Sequence, residues 1–137
     1  MSASGYPAAS GNLARYLAQI PSDLTRDIKF TFPGIPGGGG TDHASFVMCG
    51  APGFGLGSGQ WDYGLYTWHT NRDTYDKISF DDLKGNATLV AMLAYLASED
   101  PEFMSRAKRD VMPVGRNGQP MTWPACAPGD RSTPAPK

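Results

Sequence analysis

Net charge is what this sequence has least of. Twelve Lys and Arg stand against thirteen Asp and Glu, a formal charge of −1, too little to attract nucleic acid or an anionic membrane by long-range field. Neither partner is expected. Long apolar runs are missing too: none approaches the roughly 18 residues of a spanning helix. The first residues, MSASGYPAASGN, lack the basic and apolar regions of a signal peptide, so the chain reads as soluble. Cysteine is scarce. Cys49 and Cys126 lie far apart and form no CxxC, which removes the signature of a zinc ribbon or a redox pair. The simplest reading is a small buried thiol at Cys49 and an unrelated thiol in the tail. A bridge between them, in an exported protein, is the alternative.

What is abundant is backbone punctuation. Seventeen glycines and twelve prolines make about a fifth of the 137 residues, against roughly an eighth on average, so much of the chain must be turn and loop. Within it, GNLARYLAQIPS places Leu13, Tyr16, Leu17 and Ile20 at helical spacing, with Ser10 or Asn12 to cap and Pro21 to stop. IKFTF alternates Ile28, Phe30 and Phe32 with Lys29 and Thr31, the period of a strand. PGIPGGGG suits a hinge or a close backbone approach. A phosphate loop is rejected, because neither GK[ST] nor GxGxxG leading into a helix is present. Thr41 and Asp42 offer caps for a short helix through HASFVMC, and APGFGLG reads as a brief, Gly-weakened strand. A loop carrying Trp61, Tyr63, Tyr66 and Trp68 then runs to His69, and such aromatic loops suit a lid or pocket wall.

The strongest helix signal opens at Ser79, with Asp81 and Asp82 in the first turn and a stripe of Leu83, Ala87, Val90, Ala94 and Ala97 widened by Leu89, Leu93 and Leu96. A stripe this wide implies burial on more than one side. A short basic helix is expected over EFMSRAKRD, followed by a Pro/Gly-rich tail over 111–137 that is disordered or laid over a surface. The candidate core is Tyr16, Leu17, Phe30, Phe32, Phe46, Val47, Phe54, Leu83, Val90, Leu93 and Leu96. Alternating helices and strands predict an α/β layered fold. Two strands cannot cover the long helix, so the sheet is expected to be incomplete in this chain and its apolar face to need a partner.

GGGGTDHASF, APGFGLG and YTWHTNRDTYDKISFDDLKGNATLVAMLAYLA, in this order, resemble the C-terminal part of the M28 family of zinc metallopeptidases, the aminopeptidase and glutamate carboxypeptidase group. The resemblance runs from about Gly11 to Asp100. The family's Ser-Asp-His-x-x-Phe stretch corresponds to Thr41, Asp42, His43 and Phe46, and its His-Thr-x-x-Asp-Thr stretch to His69, Thr70, Asp73 and Thr74. What this implies is a three-layer α/β/α sandwich with a mixed sheet, present here only in part over residues 1–110. It also implies His69 as the family's last zinc ligand, a role that suits a neutral imidazole whose second nitrogen is free to be oriented. His43 matches a supporting position, not a ligand. Trp68, Tyr66, Asp42, His43 and Asp73 are implied to line the substrate pocket or to support the ligands. The residues themselves leave a plainer reading for Asp73 and Thr74, as local caps shaping the turn after His69.

The family's site is a pair of zinc ions, and this chain matches only one ligand. The His-x-Asp and Glu-Glu stretches that supply the other ligands and the general base do not occur in the sequence, and a catalytic zinc needs about three protein ligands. The expectation is therefore a C-terminal portion of a zinc exopeptidase, inactive alone, that does not retain its two zinc ions. Its partners would be a peptide or aminoacyl substrate, and either the absent N-terminal part or a second copy. An exported parent is compatible with the two cysteines. Trp68 stands where many members have Tyr, and Trp-His-Thr is reminiscent of glutaminyl cyclases, so a cyclising zinc acyltransferase is the alternative chemistry. A non-catalytic binding or assembly module is the third reading.

Overall fold

In the computed structural model, which describes residues 1–32, 34–36, 41–57 and 62–126, helices account for nearly all regular structure. They are α1 (Pro7–Leu17), α2 (Ser22–Thr25), α3 (Asp42–Met48), α4 (Tyr63–Tyr66) and α5 (Phe80–Ser98), with a 3₁₀ turn at Tyr75–Lys77. The expected α/β sandwich with a mixed sheet is not formed. Among the described residues β-pairing is confined to isolated bridges: Ser2 with Thr31, Ser2 with Gly55, and Val114 with Pro120. Both segments read as strands thus meet the N-terminal residues at a single point each. The Met1 and Ser2 carbonyls accept from Thr31 and Gly55, at 2.8 and 2.9 Å. No ladder can grow from there, because the chain turns at Ser4–Gly5 and enters α1 at Pro7. APGFGLG supplies mostly Gly and Pro, which have little to pair across a ladder.

Helix α1 starts four residues before the expected Gly11, because Pro7 at its first position has a φ already suited to the helix. Neither Ser10 nor Asn12 caps it. Ser10 is fully buried, and its hydroxyl donates to the Tyr6 carbonyl one turn back. Ala9, Leu13, Tyr16 and Ile20 form the buried stripe. Tyr6, Ala3, Ala9 and Val47 make the core cluster, with Phe54, Met104 and Trp123 packed against it.

The core differs from the sequence expectation in which face of α5 is inside. Leu83 (53% exposed) and Val90 (43%) face solvent, while Leu89 is buried and Leu93 and Leu96 are half-buried. The helix therefore buries the edge at 89, 93 and 96 and leaves the 83–97 stripe open. Helix α1 lies against α5, and among the described residues no sheet covers the opposite side. Phe32 and Phe46, expected in the core, are exposed as well.

The segment after Pro101 is not the expected basic helix but irregular backbone, and it is tied to the core. The Arg109 guanidinium donates to the Gly34 carbonyl at 2.8 Å and its amide to the Gly5 carbonyl. Trp123 packs edge-on against Tyr6, ring centroids 5.2 Å apart, and its indole N–H reaches the Val47 carbonyl. Cys126 forms a disulfide with Cys49, so the reading of two unrelated thiols is replaced by a bridge. The tetraglycine run, Trp61 and residues 127–137 lie outside the described residues.

Candidate functional site

The TDHASF motif forms the start of α3. Thr41 takes the N-cap backbone conformation, but its hydroxyl bonds the His43 Nδ1 instead of a helix amide. Ala44 and Val47 point into the core, and Asp42 stays in solvent. The helix is held from beneath by Gly53, where a Cβ would meet the Val47 Cγ2 at 2.7 Å and the His43 carbonyl at 3.2 Å. Only a residue without a side chain lets the 50s loop pass this close.

The second motif follows α4, a single turn where the sequence suggested an open loop. Asp62 before it and His69 after it both adopt left-handed backbone, each with φ near 60°. Among residues with a Cβ this region is sparsely populated, and polar side chains such as Asp and His are the ones enriched there. The Tyr63 carbonyl accepts from the Thr67 and Trp68 amides, and the Thr70 hydroxyl caps the Thr67 carbonyl at 2.7 Å. The Tyr63 hydroxyl donates to the Asp73 carboxylate at 2.6 Å, and this bond holds the phenol above its ordinary pKa. Asp73 therefore reaches across the turn instead of capping it. Thr74 bonds the Arg72 carbonyl and the Asp76 carboxylate, and Asp76 is lowered to about 2 by hydrogen bonds from Lys77 and Thr74.

Trp68 and His69 stack, with centroids 3.9 Å apart and planes 27° from parallel. Both are exposed, and among the described residues the His69 imidazole makes no hydrogen bond. An open cleft of about 490 Å³ beside them is lined by Asp62, Tyr63, Gly64, Leu65 and Trp68. His69 and Tyr66 border the same turn without lining it. A larger depression of about 900 Å³ runs along the first turns of α5 and touches neither motif. No hydrogen bond or ion pair joins the 41–46 stretch to the 62–76 stretch among the described residues.

The family model for peptidase family M28 matches residues 5–94, about two thirds of the chain and both motifs. The chain belongs to peptidase family M28. No curated protein and no solved structure matches it. M28 peptidases are generally zinc-dependent. Among the described residues no group of three or more His, Cys, Asp or Glu could hold one. One histidine does not make an M28 metal site, and the described residues do not by themselves fit the metal.

The part played by Tyr63 had no signal in the sequence. Its partner lies ten residues away across a turn whose handedness depends on a positive φ, and neither spacing nor periodicity reports that.

Proposed function

We propose that this chain supplies the last zinc-binding histidine, His69, and an aromatic wall of the substrate pocket, Trp68, to an M28 exopeptidase acting on peptide or aminoacyl substrates. The observation that carries this reading is the family match, which spans the Trp68–Thr74 motif and most of the helix after it, up to residue 94. The His69 imidazole on an exposed turn, without a hydrogen bond among the described residues, supports it, since a ligand must present a nitrogen not already spent on a protein hydrogen bond. The other ligands and the general base come from residues outside this sequence, and alone the chain is inactive. Asp42, His43, Tyr66 and Asp73 serve as supports and not as ligands. The open α5 face, with Leu83, Val90 and Tyr95 exposed, is where the rest of the enzyme or a second copy packs. The Cys49–Cys126 bridge supports an oxidising, exported location.

The test is complementation. The chain is combined with a polypeptide carrying the family's His-x-Asp and Glu-Glu stretches, and hydrolysis of an aminoacyl substrate is followed with and without zinc. His69→Ala should lower the zinc-dependent rate by about a hundredfold or more, since even a residue that only supports a ligand costs ten- to a hundredfold. His43→Ala should act through stability. Full activity in His69→Ala would remove His69 from the site. Turnover of an N-terminal glutamine peptide instead of the aminoacyl substrate would shift the reading to the cyclase chemistry.

A further inference from the structure

Packing does not hold the His69 turn in place. Every residue from Trp68 to Lys84 is exposed, and between Gly64 and Thr70 only Thr67 is buried. Yet His69 keeps a left-handed backbone, φ 60°, which a residue with a Cβ leaves readily unless its neighbours over-determine it. Hydrogen bonds must therefore do so, and several of them involve Tyr63. Its carbonyl accepts two amides, those of Thr67 and Trp68 at 3.0 and 2.9 Å, fixing the chain up to the residue before His69. Its hydroxyl donates at 2.6 Å to Asp73, four residues after His69. One side chain thus ties both ends of the turn. A neutral hydroxyl donating to a carboxylate is also a charge-assisted bond, shorter and stronger than a neutral one.

We infer that Tyr63 and Asp73 form a cross-brace that sets the direction of the His69 imidazole, with Tyr63 as a positioning residue that does not touch substrate or metal. If the brace opens, His69 can return to negative φ, which re-aims its Cβ and breaks the stack on Trp68. For its functional meaning the inference rests on His69 being a metal ligand. The brace itself is a property of the metal-free chain and can be tested without zinc.

The experiment is NMR of the full chain in wild type, Tyr63→Phe, Asp73→Ala, Asp73→Asn and the Tyr63→Phe/Asp73→Ala pair. In wild type the His69 ring protons should be displaced upfield by the stacked Trp68 indole, and the His69 backbone carbons should report left-handed φ. Tyr63→Phe keeps the ring but removes the donor. It should abolish both signatures while the methyl resonances of Val47 and Leu13 stay in place. Asp73→Ala should do the same, and the double variant should add nothing further, as expected of two ends of one interaction. Asp73→Asn, which keeps an accepting oxygen, should retain most of the displacement. Unchanged His69 resonances in both Tyr63→Phe and Asp73→Ala would overturn the brace. So would loss of the core methyl pattern in Tyr63→Phe, because that would make Tyr63 a general folding residue. A brace that holds while zinc complementation fails would locate the error in the metal assignment.

Discussion

Asp100 is the acceptor on which the two long helices converge. The Tyr16 hydroxyl and the Arg15 guanidinium both reach its Oδ2 at 2.6 Å, and the Glu102 amide takes the other oxygen. Its side chain is only 3% exposed. The Tyr16 bond, then the Glu102 amide and Arg15, holds its carboxyl below the ordinary value. The sign of the pH effect follows. A carboxylate whose folded pKa is depressed adds stability that is present above its unfolded pKa, about 3.8, and is lost as pH falls through the lower folded value. Asp100→Asn should therefore lower the urea midpoint near neutral pH and flatten its decline in acid below about pH 4. The difference between the two proteins should shrink toward the acid end, and a difference that stays constant across that range would exclude this linkage. None of this was legible in the sequence, because Arg15 and Asp100 are 85 residues apart. The His69 motif was legible because its residues are contiguous.

At the scale of elements, α3 shows what holds a short helix in place. Seven residues are too few for a stable helix in water, yet this one carries the Asp42–Phe46 motif. Val47 is fully buried, and its carbonyl accepts from the Tyr6 hydroxyl, the Trp123 indole and the Gly50 amide. Just past the helix, Cys49 is bonded to Cys126, closing a span of 77 residues. Closing a loop that long contributes roughly 2–4 kcal/mol, mainly by restricting the unfolded chain. Reduction, or Cys126→Ser, should lower unfolding stability by that amount and raise amide exchange around Trp123 and in α3. An unchanged unfolding transition under reducing conditions would show that Trp123 and Arg109 alone hold the segment. The positions of α1 and α5 could be read from periodicity and that of α3 from its capping residues, and each occurs within a few residues of its expected place. The strands could not, since a two-residue alternation such as Phe30 and Phe32 forms a sheet only where a neighbour can pair along its length. Here Ser2 offers one position. Which edge of α5 turns inward was likewise hidden, because its wide stripe fits two orientations, and the structure buries the one at Leu89.

For the molecule as a whole, a chain of peptidase family M28 holds, among its described residues, no cluster of His, Cys, Asp or Glu that could bind a metal. The exposed face of the long helix, at Leu83 and Val90, and the exposed His69 are the features on which the proposed role rests. The self-sufficient parts, Tyr6 with Val47 and Trp123, are packed. The most direct measurement is a calorimetric zinc titration of the purified metal-free chain, in wild type and His69→Ala. The account predicts no saturable one-to-one binding in either protein at micromolar concentrations, because a lone imidazole cannot replace the roughly three ligands a zinc site needs. Tight stoichiometric binding in wild type that disappears in His69→Ala would contradict it, and would mean that this chain completes a metal site by itself.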